Sequence, residues 1–242
     1  MKKVIIENIK TLFYALIIAI IIRSILFQPF YIPSSSMEPN LLVGDRLFVS
    51  KYSYGYSRHS LPFSPKIFTN RIFEKKPKAG DIIVFKTPAD NRTDYIKRLI
   101  GMPGDKIQFA NNDLYINDVK VIKEKINNQF EISCGGQIID VDFYKETLPN
   151  GKKYIAVYRK EGTMINSDKY IVPKNHYFFM GDNRDCSKDS RYLSSVGYVN
   201  FTNFVGKAQV IFFSNNKEKG SFFKIWKWKD SIRTSRFFKK IY

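Results

Sequence analysis

The sequence predicts a mainly β protein that is preceded by one N-terminal membrane-spanning helix. Aromatic residues make up 16% of the 242 residues, with 21 Phe and 15 Tyr, and such residues are enriched in strands. Short apolar runs follow Gly-Asp pairs that begin at Gly44, Gly80 and Gly104, which is typical of strands separated by turns. No long amphipathic helical period appears between residues 41 and 210, so we expect an all-β domain there.

The most apolar stretch lies near the N-terminus, where residues 11–30 are long enough for one bilayer crossing. Arg23 falls past the middle of this stretch, so its side chain can reach the outer headgroups. Lys2, Lys3 and Lys10 precede the stretch, which predicts a cytoplasmic N-terminus and places the rest of the chain outside. A cleavable signal peptide is the competing interpretation, but no small-x-small cleavage site follows, which favours an uncleaved anchor.

The remaining chain divides into a core, an insertion and a tail. Residues 1–10 are the cytoplasmic N-terminus, and residues 31–107 and 176–220 are predicted to form a β core. Residues 108–175 contain turn sequences flanked by strand-like runs, which indicates a smaller β domain inserted into the first. The tail, 221–242, mixes Phe and Trp with Lys and Arg. It is either an amphipathic segment on an anionic membrane or a frayed end with some aromatic docking.

The formal net charge of +18 indicates a polyanionic partner, which is either nucleic acid or an anionic membrane surface. The chain has no zinc-finger spacing, P-loop or RNA-recognition signature, so we expect anionic lipids and no nucleic acid. The two cysteines, Cys134 and Cys186, lie far apart and lack metal-ligand spacing. A disulfide remains open, but we expect two buried or half-exposed thiols.

A serine-rich turn follows directly after the apolar stretch, where residues 33–41 read Pro-Ser-Ser-Ser-Met-Glu-Pro-Asn-Leu. The two prolines favour an extended backbone in the residues before them. In extended geometry Ser34 and Ser36 point to one side and Ser35 to the other. Taken alone, such a string is more often a linker than a site.

A serine nucleophile needs a group that removes its proton. The chain has only His59 and His176, and neither lies in a sequence context that resembles a Ser-His-Asp triad. A lysine can act instead when burial lowers its pKa. Lys97 has apolar neighbours on its own face of a predicted strand, whereas Arg98 stays protonated. On alternation alone, an exposed strand lysine remains the more common interpretation of Lys97.

Four motifs, in order behind the apolar stretch, resemble those of type I bacterial signal peptidases. They are Pro-Ser-Ser-Ser-Met-x-Pro-x-Leu at 33–41, Gly-Asp-Ile-Ile-Val-Phe at 80–85, Tyr-Ile-Lys-Arg-Leu-Ile-Gly-Met-Pro-Gly-Asp at 95–105 and Gly-Asp-Asn-Arg-Asp-Cys-Ser-Lys-Asp-Ser-Arg at 181–191. The resemblance covers residues 11 to about 210, and its specificity comes from the combination of motifs. It implies an antiparallel β-sheet catalytic core that carries the inserted β domain.

The resemblance also implies roles for individual residues. Ser36 corresponds to the nucleophile and Lys97 to the general base. The Ser34 hydroxyl and the backbone N–H of Ser36 correspond to the oxyanion hole, and Ser187 corresponds to a residue that hydrogen-bonds and orients the lysine. Four charged residues are implied as structural support rather than as participants in the reaction: Arg98 with Asp182, and Asp189 with Arg191.

The implied activity is cleavage of N-terminal signal peptides from exported preproteins by a membrane-bound serine endopeptidase with a Ser-Lys dyad. The substrate is expected to bind extended along an edge strand, with small residues at the −1 and −3 positions. Phe30, Ile32, Met37 and Val84 are candidate linings of the pockets for those residues. The mechanism needs no metal and no other cofactor. The implied location is the bacterial inner membrane, with a single span and the catalytic domain on the periplasmic face.

Two other interpretations stay open. One is a related Ser-Lys peptidase, such as a mitochondrial processing peptidase or a self-cleaving repressor, which the anchor and the insertion at 108–175 disfavour. The other is a catalytically inactive, membrane-anchored module that binds polyanions or lipids. The presence of Ser34, Ser36, Lys97 and Ser187 together favours an enzyme.

Overall fold

The structure is a computed structural model that describes residues 2–67, 69–127, 130–160, 165–216, 220 and 225–242. Helix α1 (Lys2–Ile21) continues into a π-helical turn (Ile22–Leu26), and this apolar helix is long enough to cross a membrane. The predicted span of 11–30 was wrong at its end, because residues 27–30 belong to a strand. Pro29 accounts for this ending, since a proline disfavours helical geometry in the residue before it.

The rest of the described chain is built mainly from short strands. In chain order they are β1 (Phe27–Tyr31), β2 (Asp45–Ser50), β3 (Ile82–Lys86), β4 (Asp94–Gly101), β5 (Lys106–Ala110), β6 (Asp113–Ile116), β7 (Val119–Lys120), β8 (Ile122–Ile126), β9 (Ile132–Cys134), β10 (Gln137–Ile139), β11 (Val141–Thr147), β12 (Lys153–Arg159), β13 (Tyr170–Ile171), β14 (His176–Met180), β15 (Val199–Asn200), β16 (Phe204–Ser214) and β17 (Lys239–Lys240). Helix α2 (Trp228–Ser231) is a single turn near the C-terminus. The prediction of a mainly β fold behind one apolar helix is confirmed.

The largest sheet is antiparallel and has the strand order β1-β2-β16-β3-β4-β14-β15, with β17 pairing to β16. Strand β4 lies between β3 and β14, which places Lys97 near the middle of the sheet. Strand β1 is an edge strand that follows the apolar helix without a linker. The helix is therefore joined directly to the sheet that carries the candidate site.

Strands β5 to β13 lie between β4 and β14 in the chain and form three smaller sheets of four, three and two strands. Their apolar residues share one core with the main sheet, since Phe109 and Leu114 pack in the same cluster as Ile100, Phe178 and Met180. This shared core means that the smaller sheets are packed onto the main sheet. The predicted limits of 108–175 for an inserted domain stay a prediction.

A second core cluster lies under the serine turn. It contains Ile32, Met37 and Val84, and Phe30 packs against it. Met37 is fully buried, so it fastens the turn to the sheet. Burying an apolar side chain of this size contributes about 1.5–3 kcal/mol. The four residues suggested as pocket linings thus lie together, and their role in specificity stays a prediction.

The cysteines form a disulfide, and the expectation of two thiols was wrong. Cys134 and Cys186 are 52 residues apart in sequence, and their Cα atoms are 5.6 Å apart. The fold brings β9 against the loop after β14, a proximity that sequence spacing does not reveal. The Asn183 side-chain amide also donates to the Ser133 carbonyl across this junction, at 3.4 Å. The β9–β10 hairpin is therefore fastened to the loop that carries Ser187.

The described part of the tail, residues 225–242, is attached to the sheet. Strand β17 pairs with β16, and Arg236 forms a buried ion pair with Asp45 at 2.6 Å. The side chain of Trp226 is 74% exposed, so part of the tail keeps an aromatic surface. Residues 221–224 lie outside the described residues. The proposed contact of the tail with lipid stays a prediction.

Candidate active site

The serine turn forms a short 3₁₀ helix, Ser35–Met37, and most of Ser36 is buried. The loop after β14 holds the backbone of this turn. The Asn183 N–H donates to the Ser36 carbonyl, and the Asn183 side-chain amide donates to the Ser35 carbonyl, both at 3.2 Å. Ser36 is thereby fixed by a residue that lies far away in the chain.

Lys97 lies opposite Ser36, and its Nζ donates a hydrogen bond to Ser36 Oγ. The lysine is 3% exposed, and its Nζ lies 5.7 Å from the centroid of the Tyr95 ring. Burial lowers the pKa of Lys97 to about 8, although Asp189 and Asp182 oppose this shift by attracting the ammonium. The arrangement therefore combines a buried hydroxyl with an amine that loses its proton far more readily than a free lysine.

The Ser34 hydroxyl lies 3.4 Å from Ser36 Oγ. Ser35 turns toward the other side, where its hydroxyl is 3.9 Å from Cys186 Sγ. The two hydroxyls that the sequence places on one side are thus adjacent in the structure. Ser34 is exposed while Ser36 is buried, so Ser34 lies on the solvent side of Ser36 and Lys97.

Ser187 lies beside the Ser36 backbone but does not form the expected hydrogen bond with Lys97. Its Oγ is buried and makes no hydrogen bond of regular geometry with the residues that the structure describes, although it lies close enough to Asp189 to help lower the pKa of that carboxyl. A Cβ placed on Gly181 would lie 2.5 Å from the Ser36 carbonyl oxygen and still closer to Ser187 Oγ. The Ser187 hydroxyl therefore faces Gly181 and Asp189 rather than the lysine amine.

Two buried ion pairs surround the serine and the lysine. Arg98 Nε and Nη2 donate to both carboxylate oxygens of Asp182, at 2.7 and 2.8 Å. Arg191 binds Asp189 through two bonds of 2.8 Å. Burial alone would raise the pKa of Asp189, but Arg191 and the Gly181 N–H more than offset it, so the carboxylate stays charged. The four charged residues thus form two pairs, and their role as structural support stays a prediction.

Comparison with known proteins identifies the family of this chain. The sequence profile described as "Signal peptidase, peptidase S26" matches residues 5–213. A signal peptidase I from Rickettsia typhi is 41% identical over 247 residues, which cover 95% of this chain and 91% of that protein. A signal peptidase I from Rickettsia bellii is 41% identical over 250 residues, which cover 96% and 84% of the two chains.

The chain belongs to the signal peptidase family, peptidase S26. It is therefore a serine peptidase, and the predicted class of hydrolase is confirmed. A crystal structure of a signal peptidase I from Enterococcus faecalis aligns with 55% of this chain and 97% of that chain, at 27% identity and a TM-score of 0.32. This structural similarity is too low to support an argument about the fold.

This family member contains another buried ion pair near the site, which the sequence analysis missed. Arg184 binds both carboxylate oxygens of Glu146, at 2.6 and 2.7 Å, and the Tyr154 hydroxyl donates to the same carboxylate at 2.7 Å. Burial would raise the pKa of Glu146, but Arg184 outweighs it and lowers the pKa. The pair connects strand β11 to the loop that carries Ser187. Arg184 lies within the 181–191 motif, and its place there is the one sequence feature that could have pointed to a structural role for this residue.

Asn40 is a second residue that the sequence analysis missed. Its side-chain amide donates to Asp182 Oδ2 and to the Ile155 carbonyl, both at 2.7 Å. Asp182 thereby receives bonds from both Asn40 and Arg98. The end of the serine turn is linked to β4 through this carboxylate and to β12 directly through the Ile155 carbonyl.

The two histidines of this signal peptidase homologue have other partners. His59 Nδ1 lies 2.9 Å from the Ser64 hydroxyl, and burial lowers the pKa of His59 to about 4. His176 Nδ1 lies 2.9 Å from the Lys174 carbonyl. Within the described residues neither ring hydrogen-bonds Ser36, whereas the Lys97 amine lies at hydrogen-bond distance from it. No cluster of three metal-ligating side chains occurs among those residues.

Proposed function

We propose that this chain is a membrane-anchored serine endopeptidase that removes N-terminal signal peptides from exported preproteins through a Ser36–Lys97 dyad. The observation that carries the proposal is the hydrogen bond from the buried Lys97 amine to Ser36 Oγ. A lysine with a pKa of about 8 is roughly one tenth neutral at pH 7, which is enough for a general base.

The reaction begins when neutral Lys97 takes the proton of Ser36, whose Oγ attacks the carbonyl carbon before the scissile bond. The Ser34 hydroxyl and the Ser36 N–H donate to the developing oxyanion, and losing one such donor typically lowers the rate about 10²–10³-fold. Lys97 then protonates the leaving amine, and a water that Lys97 activates hydrolyses the acyl-enzyme. Ser187 would orient the amine after a rotation of its hydroxyl, which forms no regular hydrogen bond among the described residues.

The apolar helix would hold the site at the membrane surface, where the substrate is located. The apolar helix of 25 residues, Lys2–Leu26, is about 37 Å long at 1.5 Å per residue, which exceeds a hydrocarbon core of about 30 Å. Ser36 follows soon after Leu26 in the chain, so the site would lie at the membrane surface where a preprotein presents its cleavage site. Lys2, Lys3 and Lys10 lie in the N-terminal half of the helix, and this charge supports a cytoplasmic N-terminus and an inner-membrane enzyme with a periplasmic catalytic domain. The basic surface would attract anionic lipid.

The test is cleavage of a preprotein by the full-length chain in detergent, compared among wild type, Ser36→Ala, Lys97→Ala and Lys97→Arg. All three variants should lose cleavage, including Lys97→Arg, because guanidinium cannot act as a neutral base. Circular dichroism would check that each variant is folded. Substantial activity of Lys97→Arg would move the base elsewhere. A wild-type chain that is folded but does not cleave would favour the inactive binding module.

A further inference from the structure

A polar cleft of about 590 Å³ lies at the end of the apolar helix, where Arg23 and Gln28 meet the loop around His59 and the turn after β3. Neither Ser36 nor Lys97 lines this cleft, so the proposed mechanism does not use it. Its cationic side chains come from separate parts of the chain. They are Arg23, Arg58, Lys66, Lys86 and Arg92.

The two carboxylates of the cleft neutralise only part of this positive charge. Asp94 pairs with Lys86 at 2.9 Å, and Asp90 accepts bonds from the backbone N–H groups of Arg92 and Thr93 at 2.8 and 2.9 Å. Within the described residues, the remaining cationic side chains have no carboxylate partner: Arg23, Arg58, Lys66 and Arg92. The cleft therefore keeps an excess of positive charge.

Two buried side chains, Lys51 and His59, lie next to these cations, and Lys51 adds positive charge when it is protonated. Lys51 is fully buried, and its Nζ donates to the His59 backbone carbonyl at 3.2 Å. Burial and the nearby Arg58, whose Nε donates to His59 Nε2 at 3.2 Å, lower the pKa of His59 to about 4, so this ring is neutral. Burial, with smaller contributions from Arg23 and Lys86, lowers the pKa of Lys51 to about 7, although Asp94 opposes this shift. An anion in the cleft would stabilise every one of these cations.

Exposed apolar side chains lie at Phe63, which lines the cleft, and at Ile67 in the same loop. The Phe63 side chain is completely exposed, at 104%, and Ile67 is 71% exposed. The loop is held to the helix end, because the Tyr56 hydroxyl donates to the Ile25 carbonyl at 3.2 Å. Apolar side chains that project beside a membrane helix are favourable within the headgroup and acyl boundary of a bilayer and unfavourable in water.

We propose that this cleft binds the phosphate of an anionic phospholipid, with Arg58 and Arg92 as its principal ligands and Phe63 and Ile67 among the acyl chains. Guanidinium groups bind phosphate oxygens through paired hydrogen bonds, which favours a phosphate over a less charged headgroup component. The inference rests on the proposed membrane anchoring. It assigns the anionic lipid a defined site instead of a diffuse attraction to the basic surface.

The experiment uses the full-length chain in a nonionic detergent and counts bound lipids by native mass spectrometry. Phosphatidylglycerol, phosphatidylcholine and inorganic phosphate are the three probes. A basic residue near an anionic surface contributes a roughly fivefold factor in affinity, so Arg58→Gln with Arg92→Gln should weaken phosphatidylglycerol binding about thirtyfold. The matched control is Lys145→Gln with Lys153→Gln, which removes the same charge from exposed positions on β11 and β12.

The expected result is one phosphatidylglycerol retained by wild type and by the control, in preference to phosphatidylcholine. Equal retention of both lipids by wild type, or equal losses in the two double variants, would overturn the proposal. Inorganic phosphate that binds as tightly as phosphatidylglycerol would also overturn it, since the site would then be one for a free anion.

Two further measurements separate this inference from the proposed function. Ser36→Ala should lose preprotein cleavage and keep its bound lipid, so failure of the enzymatic proposal would leave the lipid result unchanged. If the double arginine variant does not fold, Phe63→Ser is the second test. It should weaken phosphatidylglycerol binding and leave phosphate binding unchanged, and unaltered lipid binding would contradict the inference.

Discussion

Gly181 is the position where one added methyl group should affect the site most strongly. In Gly181→Ala the new Cβ would lie 2.5 Å from the Ser36 carbonyl oxygen, whereas ordinary contacts begin at 3.4 Å. The Ser36 backbone and the Ser187 side chain must therefore move by about 1 Å. Overpacking of this kind costs about 1–3 kcal/mol of folding free energy. A displacement of about 1 Å at a reacting group can lower the rate about 10²-fold.

The assay is kcat/KM for preprotein cleavage, corrected for the folded fraction measured by thermal unfolding. Gly104→Ala is the matched control, because Gly104 has a φ of +91° and a methyl group added there would have no other atom within 4 Å. That variant should lose stability through backbone strain of about 1–3 kcal/mol and keep its activity. If folded Gly181→Ala cleaves within about threefold of wild type, the close packing of Ser36 against Gly181 does not position the nucleophile.

Three further outcomes are expected. The kcat/KM for cleavage should rise about tenfold per pH unit up to about pH 8 and level off above it, because only the neutral amine of Lys97 removes the proton. Replacing both Cys134 and Cys186 by serine should lower the free energy of unfolding by about 4 kcal/mol in urea titrations, since the bond closes a loop across 52 positions. Glu146→Gln should lower it by about 3–5 kcal/mol, because Arg184 would remain buried without its counter-charge.

Each of these outcomes has a contrary result. If kcat/KM levelled off near pH 6.5, about the ordinary pKa of histidine, Lys97 would be excluded as the titrating group. A serine double variant as stable as the wild type under oxidising conditions would mean that the disulfide does not constrain the unfolded chain. Asp140→Asn is the control for Glu146→Gln, because its pair with Lys160 is exposed and should contribute less than about 1 kcal/mol. Equal losses in both carboxylate variants would contradict the importance of burial.

Local patterns predicted much of the fold. The alternation of residues along β4 correctly separated Lys97 from Arg98, and each found the partner that the motifs implied. The helix end was misplaced because hydropathy continues through residues 27–30, while Pro29 and pairing with β2 start a strand there. An apolar pattern alone does not distinguish the last turn of a helix from the first residues of an edge strand.

Contacts between distant segments were the part that the sequence did not reveal. Glu146 looks like an ordinary exposed strand residue, and only the packing of β11 against the loop after β14 buries it beside Arg184. The Cys134–Cys186 bond depends on the same juxtaposition. Ser187 was expected to hydrogen-bond Lys97, but its hydroxyl makes no such bond in the described structure, because the direction of the hydroxyl is set by a rotamer that no sequence pattern specifies.

The direct passage from the apolar helix into β1 has a consequence for substrate choice. Strand β1 pairs with β2 from Phe27 to Tyr31, and the Lys51 N–H beyond β2 donates to the Leu26 carbonyl at 2.9 Å, so hydrogen bonds tie the sheet to the end of the helix and restrict rotation there. With the helix embedded as proposed, Ser36 is held at a fixed distance from the bilayer surface. Preproteins would then be selected by how many residues separate their apolar segment from the scissile bond, as well as by the residues beside that bond.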